Sequence, residues 1–188
     1  VTRALGAWPF DIVGVELLSV SENLVFRVDR AVGGPVVARL HRAGYNSLIE
    51  LESEHAWVNS LNKGGAFALA RPIEASDGRS HVAVDVSNGD RRFVGVVDWV
   101  AGQSLRQTLD AETSSARAAD WYRRTGALLG EMHNQSAEWE PPSWFQRRAW
   151  DVDGMVGPDP LWGRFWEAPG AEADQREVLV ETCDELHE

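Results

Sequence analysis

Apolar and polar residues follow two regimes along the chain. Through about residue 100 the apolar runs are short and strand-like. Residues 13–20 form a nearly continuous apolar run, preceded by Trp8-Pro9. Residues 23–29 and 36–42 flank Gly33-Gly34-Pro35, a turn signal that makes them a hairpin. Residues 80–86 and 92–100 flank Ser87-Asn88-Gly89-Asp90, and Asn-Gly is the strongest short hairpin signal. Between the third and fourth runs the period changes. From Asn46 to Asn62, positions read as apolar recur at helical spacing as Leu48, Leu51, His55, Val58 and Leu61 or Ala56, and Gly64-Gly65 ends the run. The pattern predicts an α+β arrangement: a five-stranded antiparallel sheet with one helix inserted after the third strand.

The second half reads as helical. Thr113-Ser114-Ser115 can cap a helix running to about Gln135, with Ala118, Tyr122, Leu128, Leu129 and Met132 on or near one face. Residues 139–170 are rich in tryptophan and proline and read as a packed, irregular insertion with short helices. A last helix is expected from near Glu172 to the end. These shifts predict two lobes, 1–100 and 101–188, without internal repeats or low-complexity tracts.

Composition narrows the partners. The 188 residues are 44% hydrophobic and 25% charged, as in an ordinary globular protein. A formal net charge of −11 argues against nucleic acid, whose phosphate backbone it would repel. Cys183 is the single cysteine, so no internal disulfide can form. The best apolar run, 93–100, is interrupted by Asp98, and neither a membrane span nor a signal layout is visible. The expectation is a cytoplasmic protein with no nucleic-acid or membrane partner.

One cation stands out. In Val36-Val37-Ala38-Arg39-Leu40-His41-Arg42, alternation puts Val37, Arg39 and His41 on one strand face and Val36, Ala38 and Leu40 on the other. A cation among apolar neighbours needs a partner or an anionic ligand, because an unpaired buried charge is costly. The next helix carries Glu50, Glu52 and Glu54. Glu54 is favoured as the partner, with Glu50 or Glu52 as solvated alternatives. A strand cation backed by a helix carboxylate is how kinase-type small lobes hold the phosphates of ATP.

The strings SENLVFRV, VVARLHRAGYNSLIELESEHAW, VVDWVAGQSL and GALLGEMH, in this order, resemble the aminoglycoside phosphotransferase family in its broad sense, which includes homoserine-kinase-like and choline-kinase-like enzymes. The string WDVDGMVGPDPLWGRFW is similar to an insertion found in bacterial members. The resemblance implies a protein-kinase-like two-lobed fold and transfer of a phosphoryl group from ATP to a hydroxyl of a small molecule, with Mg²⁺. It implies that Arg39 pairs with the nucleotide phosphates and that Glu54 orients it. Ser21, Glu22 and Asn23 would form the turn over the phosphates, which departs from the G-x-G-x-x-G of protein kinases. Val37 would pack on the adenine, and Asp98, Trp99 and Val100 would form the hinge whose backbone binds the adenine edge.

The same resemblance calls for an H-x-D-x-x-x-x-N loop supplying the catalytic aspartate and a metal ligand, with a further aspartate downstream. None of His41, His55, His81, His133 or His187 is followed two residues later by Asp. The nearest imitation is His133-Asn134-Gln135 with Asp151 and Asp153 downstream, and Gln135 cannot replace a carboxylate. No catalytic or metal-binding residue is therefore assigned. The expectation is an N-terminal part of such an enzyme with an incomplete helical lobe, inactive alone, its metal ligands lying beyond residue 188. The alternative is a catalytically inactive kinase-like nucleotide-binding or interaction module. A calcium loop at Asp151, zinc spacing and a G-x-S-x-G serine elbow all fail on residue pattern. Trp139, Trp144, Trp150, Trp162 and Trp166 are expected to build a core rather than an aromatic cage.

Overall fold

A computed structural model describes residues 1–65, 67–87 and 89–187, which form two compact units, Val1–Gln146 and Arg147–Glu188. The first unit is built on an antiparallel sheet of β1 (Ile12–Val20), β2 (Leu24–Arg30), β3 (Val36–Leu40), β4 (Pro72–Ile73), β5 (His81–Asp85) and β6 (Arg91–Asp98). The order is β1-β2-β3-β6-β4, with β5 also paired to β6. The sheet thus has six strands where alternation predicts five. The additional β4 is two residues long, too short for any period to show. It opens on Pro72, which is tolerated at the first position of a strand at the sheet margin. The Asn-Gly turn signal before β6 rests on Asn88, outside the described residues.

Alternation gives the sheet two different faces. Val36, Ala38, Leu40, Val82, Val94 and Val96 point to one side and close on Val28 and on Ala4, Leu5 and Trp8. The last three come from α1 (Thr2–Leu5) and the turn after it, which the sequence pattern does not announce as a helix. Trp8 Nε1 donates to the Ile73 carbonyl at 2.8 Å, so its one polar atom is satisfied. Leu5 is fully enclosed, and truncating such a residue to alanine costs about 2–5 kcal/mol. The opposite face, with Val37, Arg39, His41, His81, Gly95 and Val97, is polar at its centre and carries α2 (Leu48–Lys63).

Helix α2 starts at a capping box: the Ser47 side chain accepts from the Glu50 N–H, and the Glu50 carboxylate accepts from the Ser47 N–H at 2.8 Å. It ends at Gly64, followed by Gly65 with φ 70°. Its outer side is tied to α4 (Ser115–Glu138) by polar contacts. Trp57 Nε1 donates to Ser136 Oγ at 2.8 Å, and Gln135 Nε2 donates to the Ser60 carbonyl at 2.9 Å. A third tie runs from the Gln146 N–H to Ser53 Oγ at 2.9 Å. A short α3 (Leu105–Asp110) precedes α4 on its own Ser104–Gln107 capping box. Along α4 no residue is buried, and Trp121, Tyr122, Leu128 and Leu129 are exposed.

The second unit contains α5 (Val152–Val156), a 3₁₀ turn (Phe165–Glu167) and α6 (Ala173–His187). Trp166 and Cys183 are buried in it. Trp150 and Trp162 face each other at 5.7 Å but remain exposed, as does Trp144 in the first unit. The tryptophans therefore do not build one core; Trp166 alone among these five is buried. No described helix is long and apolar enough to cross a membrane.

Candidate nucleotide site

Arg39 owes its position to β3. Because Val36, Ala38 and Leu40 are drawn into the core, Arg39 must project to the α2 side. In the sheet it lies opposite Val25 on one neighbour and Gly95 on the other. Its Nη1 stands 3.6 Å from Glu54 Oε1, an ion pair too long for a hydrogen bond, with both side chains part-exposed. The other two carboxylates of the helix have different tasks. Glu50 is buried and engaged in the capping box, not solvated. Glu52 accepts from Ser80 Oγ at 3.5 Å.

Behind the pair lies a cavity of about 200 Å³ lined by Arg39, Glu54, His41, His55, His81 and apolar residues of α2, β6 and the β4 approach. The His55 and His81 rings are 4.4 Å apart, and those of His41 and His81 are 5.4 Å apart, edge to face. Burial disfavours the imidazolium form at all three. It brings His41 and His55 to about 4, with Glu54 pulling upward and Arg39 pushing down. His81 goes to about 3, burial being reinforced by His55 and His41. The cluster is therefore neutral at pH 7.

The β1–β2 turn is fastened to the end of β3. The Ser21 N–H donates to the Asn23 carbonyl at 3.1 Å, Asn23 Oδ1 accepts the Arg42 N–H at 3.3 Å, and Glu22 pairs with Arg42 at 2.8 Å. Val37 is half-buried one row from Arg39, flanked in register by Arg27 and Val97. At the far end of β6, Asp98 pairs with Arg71 at 2.9 Å and its N–H donates to the Arg71 carbonyl. The Arg27 guanidinium sits 5.0 Å above the Trp99 ring, and Val100 is half-exposed. The structure thus brings Arg39 and Glu54 together, sets Val37 in the adjacent row, and places Asp98, Trp99 and Val100 where β6 leaves the sheet.

Gln135 is committed to the α2–α4 contact, and Asp151 caps α5 by accepting the Gly154 N–H at 2.9 Å. Among the described residues no group of three or more His, Cys, Asp or Glu is arranged to hold a metal ion. Sequence reasoning missed Arg27, His55 and His81. Arg27 shares the face of Val37 through the β2–β3 register, which alternation within one strand does not reveal. His55 carries a signal only as one position of the α2 periodicity, and His81 carries none.

An antiparallel sheet with a capped helix laid against its polar face, followed by helices, defines an α+β protein-kinase-like fold. The chain belongs to the phosphotransferase enzyme family, whose sequence pattern matches residues 14–182. It is similar to the solved structure of a microcompartment-associated aminopropanol kinase, at 28% identity and a TM-score of 0.78 over 98% of this chain and 55% of that one. It also shares its fold with an amicoumacin kinase solved with AMP-PNP and Ca²⁺, at 18% identity and a TM-score of 0.69 over 99% of this chain and 51% of the other. The chain thus spans about half the length of these two proteins. No curated protein matches it.

Proposed function

We propose that these residues form the nucleotide-binding part of an ATP-dependent small-molecule O-kinase. The observation that carries this reading is the Arg39–Glu54 pair, 3.6 Å apart on the polar sheet face. A pair this long and part-exposed leaves the guanidinium able to meet a phosphate oxygen. In this reading Arg39 binds the phosphates, Glu54 holds its orientation, and the turn of Ser21, Glu22 and Asn23 covers them. Val37 packs on the adenine, with the backbone of Asp98, Trp99 and Val100 at its edge. Residues 1–100 are the nucleotide lobe and 101–188 belong to the helical lobe. ATP would supply the phosphoryl group. The described residues offer no ligand set for Mg²⁺, so no metal-dependent step is assigned to them.

The acceptor class is a hydroxyl on a small amine-bearing metabolite or aminoglycoside-like compound. The family membership and the likeness to an aminopropanol kinase support it. Because no H-x-D is present in residues 1–188, this stretch by itself is expected to bind nucleotide without transferring phosphate.

Calorimetry with ADP and Mg-ATP, together with a phosphotransfer assay over amino alcohols, choline analogues and aminoglycosides, tests the proposal. The expected result is weak nucleotide binding and no turnover. Turnover abolished by Asp151→Ala or Asp153→Ala would show that the second unit carries the reaction's carboxylates. Absence of binding to any nucleotide would remove the site assignment.

A further inference from the structure

The two sides of α2 are held in different ways. Toward α4 and residue 146 it is fastened by three hydrogen bonds of 2.8–2.9 Å. Toward the sheet, the contacts at the cavity include the long Arg39–Glu54 pair and the stack of His55 on His81, beside the apolar Leu51 and Val58. His81 in turn is seated on bare backbone. A Cβ at Gly95 would stand 2.7 Å from His81 Nε2, so the ring occupies the space that glycine leaves. Gly95 pairs in register with Arg39 on one side and His81 on the other. Phosphate-facing cation and imidazole seat therefore share one cross-sheet row. His81 Nδ1 lies 3.0 Å from Ser80 Oγ, whose other partner is Glu52 of α2. His41 completes the cluster, buried, with no hydrogen-bond partner for Nδ1.

We infer that His41, His55 and His81 are positioning residues: their packed rings dock α2 on the sheet and so hold Glu54 against Arg39. The inference rests on the nucleotide reading above for its functional consequence, but the docking itself does not. The charged groups that line the cavity are Arg39 from β3 and Glu54 from α2, with Glu52 reached through Ser80. The β6 and β4 sides contribute Gly95, Val97, Leu69, Ala70 and Pro72, which carry no charge. A proton on His41 or His55 would thus add a second cation near Arg39, with Glu54 as the carboxylate shared between them, and a proton on His81 would face the other two rings. Docked α2 excludes those protons, because the buried rings stay neutral. Undocked, the rings meet water and take protons as ordinary histidines do. Acid must then favour the undocked state, by about tenfold per exposed imidazole between pH 7.5 and 5.5.

Amide hydrogen exchange reads the docking without any ligand. Protection of α2 amides, corrected for intrinsic rates, is expected to fall about tenfold or more between pH 7.5 and 5.5, and further than that of β2. His55→Phe keeps a flat ring on His81 and cannot protonate, so it should retain protection and lessen the pH dependence. His55→Ala should lose protection at both pH values. In parallel, calorimetry at pH 7.5 should show weaker ADP binding for His55→Ala, rescued by His55→Phe, with adenosine binding unchanged in both. Equal losses of protection in α2 and β2 would make the cluster merely structural and overturn the inference. So would pH-independent α2 protection, or wild-type ADP affinity in His55→Ala. Lack of ADP binding by the wild-type chain at pH 7.5, with α2 well protected, would remove the nucleotide reading and the positioning role with it.

Discussion

Replacing Arg39 by alanine separates what this residue does for the fold from the role proposed for it toward a bound nucleotide. The fold should barely notice. The Arg39 and Glu54 side chains are 42% and 32% exposed, and their 3.6 Å separation is outside hydrogen-bonding range. Ion pairs of this kind contribute about 0–1 kcal/mol, since solvent screens them and ordering two long side chains costs entropy. Neighbouring core residues Ala38 and Leu40 point to the other face and are undisturbed. A thermal midpoint within a few degrees of wild type is the expected result.

Nucleotide binding should respond far more. A charge-assisted hydrogen bond from a guanidinium to phosphate is worth about 1.5–3 kcal/mol, which corresponds to roughly 10- to 150-fold in Kd. Calorimetry with ADP and adenosine on wild type and Arg39→Ala makes the comparison. ADP affinity should drop within that range, and adenosine, which lacks the phosphates, should be unaffected. Arg39→Lys keeps the charge and loses the planar fork, so it should fall between the two. A folded Arg39→Ala chain that binds ADP within twofold of wild type would refute the assignment of Arg39 to phosphate.

The histidine cluster makes stability depend on pH with a definite sign. The folded-state values of about 4, 4 and 3 lie below the ordinary 6.5, so the unfolded chain binds more protons throughout that interval. Stability is intact above pH 6.5 and is lost as pH falls toward 4, by about 2 kcal/mol per imidazole at pH 5; a urea midpoint unchanged from pH 7.5 to 5 would contradict this. Gly95→Ala puts a methyl 2.7 Å from His81 Nε2 and should cost about 1–3 kcal/mol in a urea melt while weakening ADP binding, whereas a neutral effect would mean that the ring is not seated there. Ser47→Ala removes the cap of α2 and should destabilise the chain by about 1 kcal/mol, seen as a lower helical signal and thermal midpoint on circular dichroism.

Much of the sheet could be read from the chain because strand alternation and turn residues agree with one another. The runs at 13–20, 23–29, 36–42, 80–86 and 92–100 each match an observed strand to within two residues at either end. What escaped had no period to display: two residues of β4 and four of α1. The α3 helix is a different case, since Ser104-x-x-Gln107 is a capping signature available in the sequence. Ser47-x-x-Glu50 is another, and it removes Glu50 from the candidates for pairing with Arg39.

The candidate site divides along the same line. That Arg39 leaves the core face follows from one strand, and that Glu54 can reach it follows from one helix. The histidine cluster needs more. His41, His55 and His81 lie on three elements, and nothing local joins them. They meet because β6 runs between β3 and β5 with Gly95 opposite both Arg39 and His81, and because α2 returns over that row. Register between distant strands is set by the sum of packing on the other face, where Val94 and Val96 align with Leu40, Ala38 and Val82. The apolar core thus determines which polar groups confront each other on the side where a nucleotide is proposed to bind. A one-residue slip of β6 would turn Gly95 away and bring a valine under the ring, closing the cavity and unseating the helix that carries Glu54.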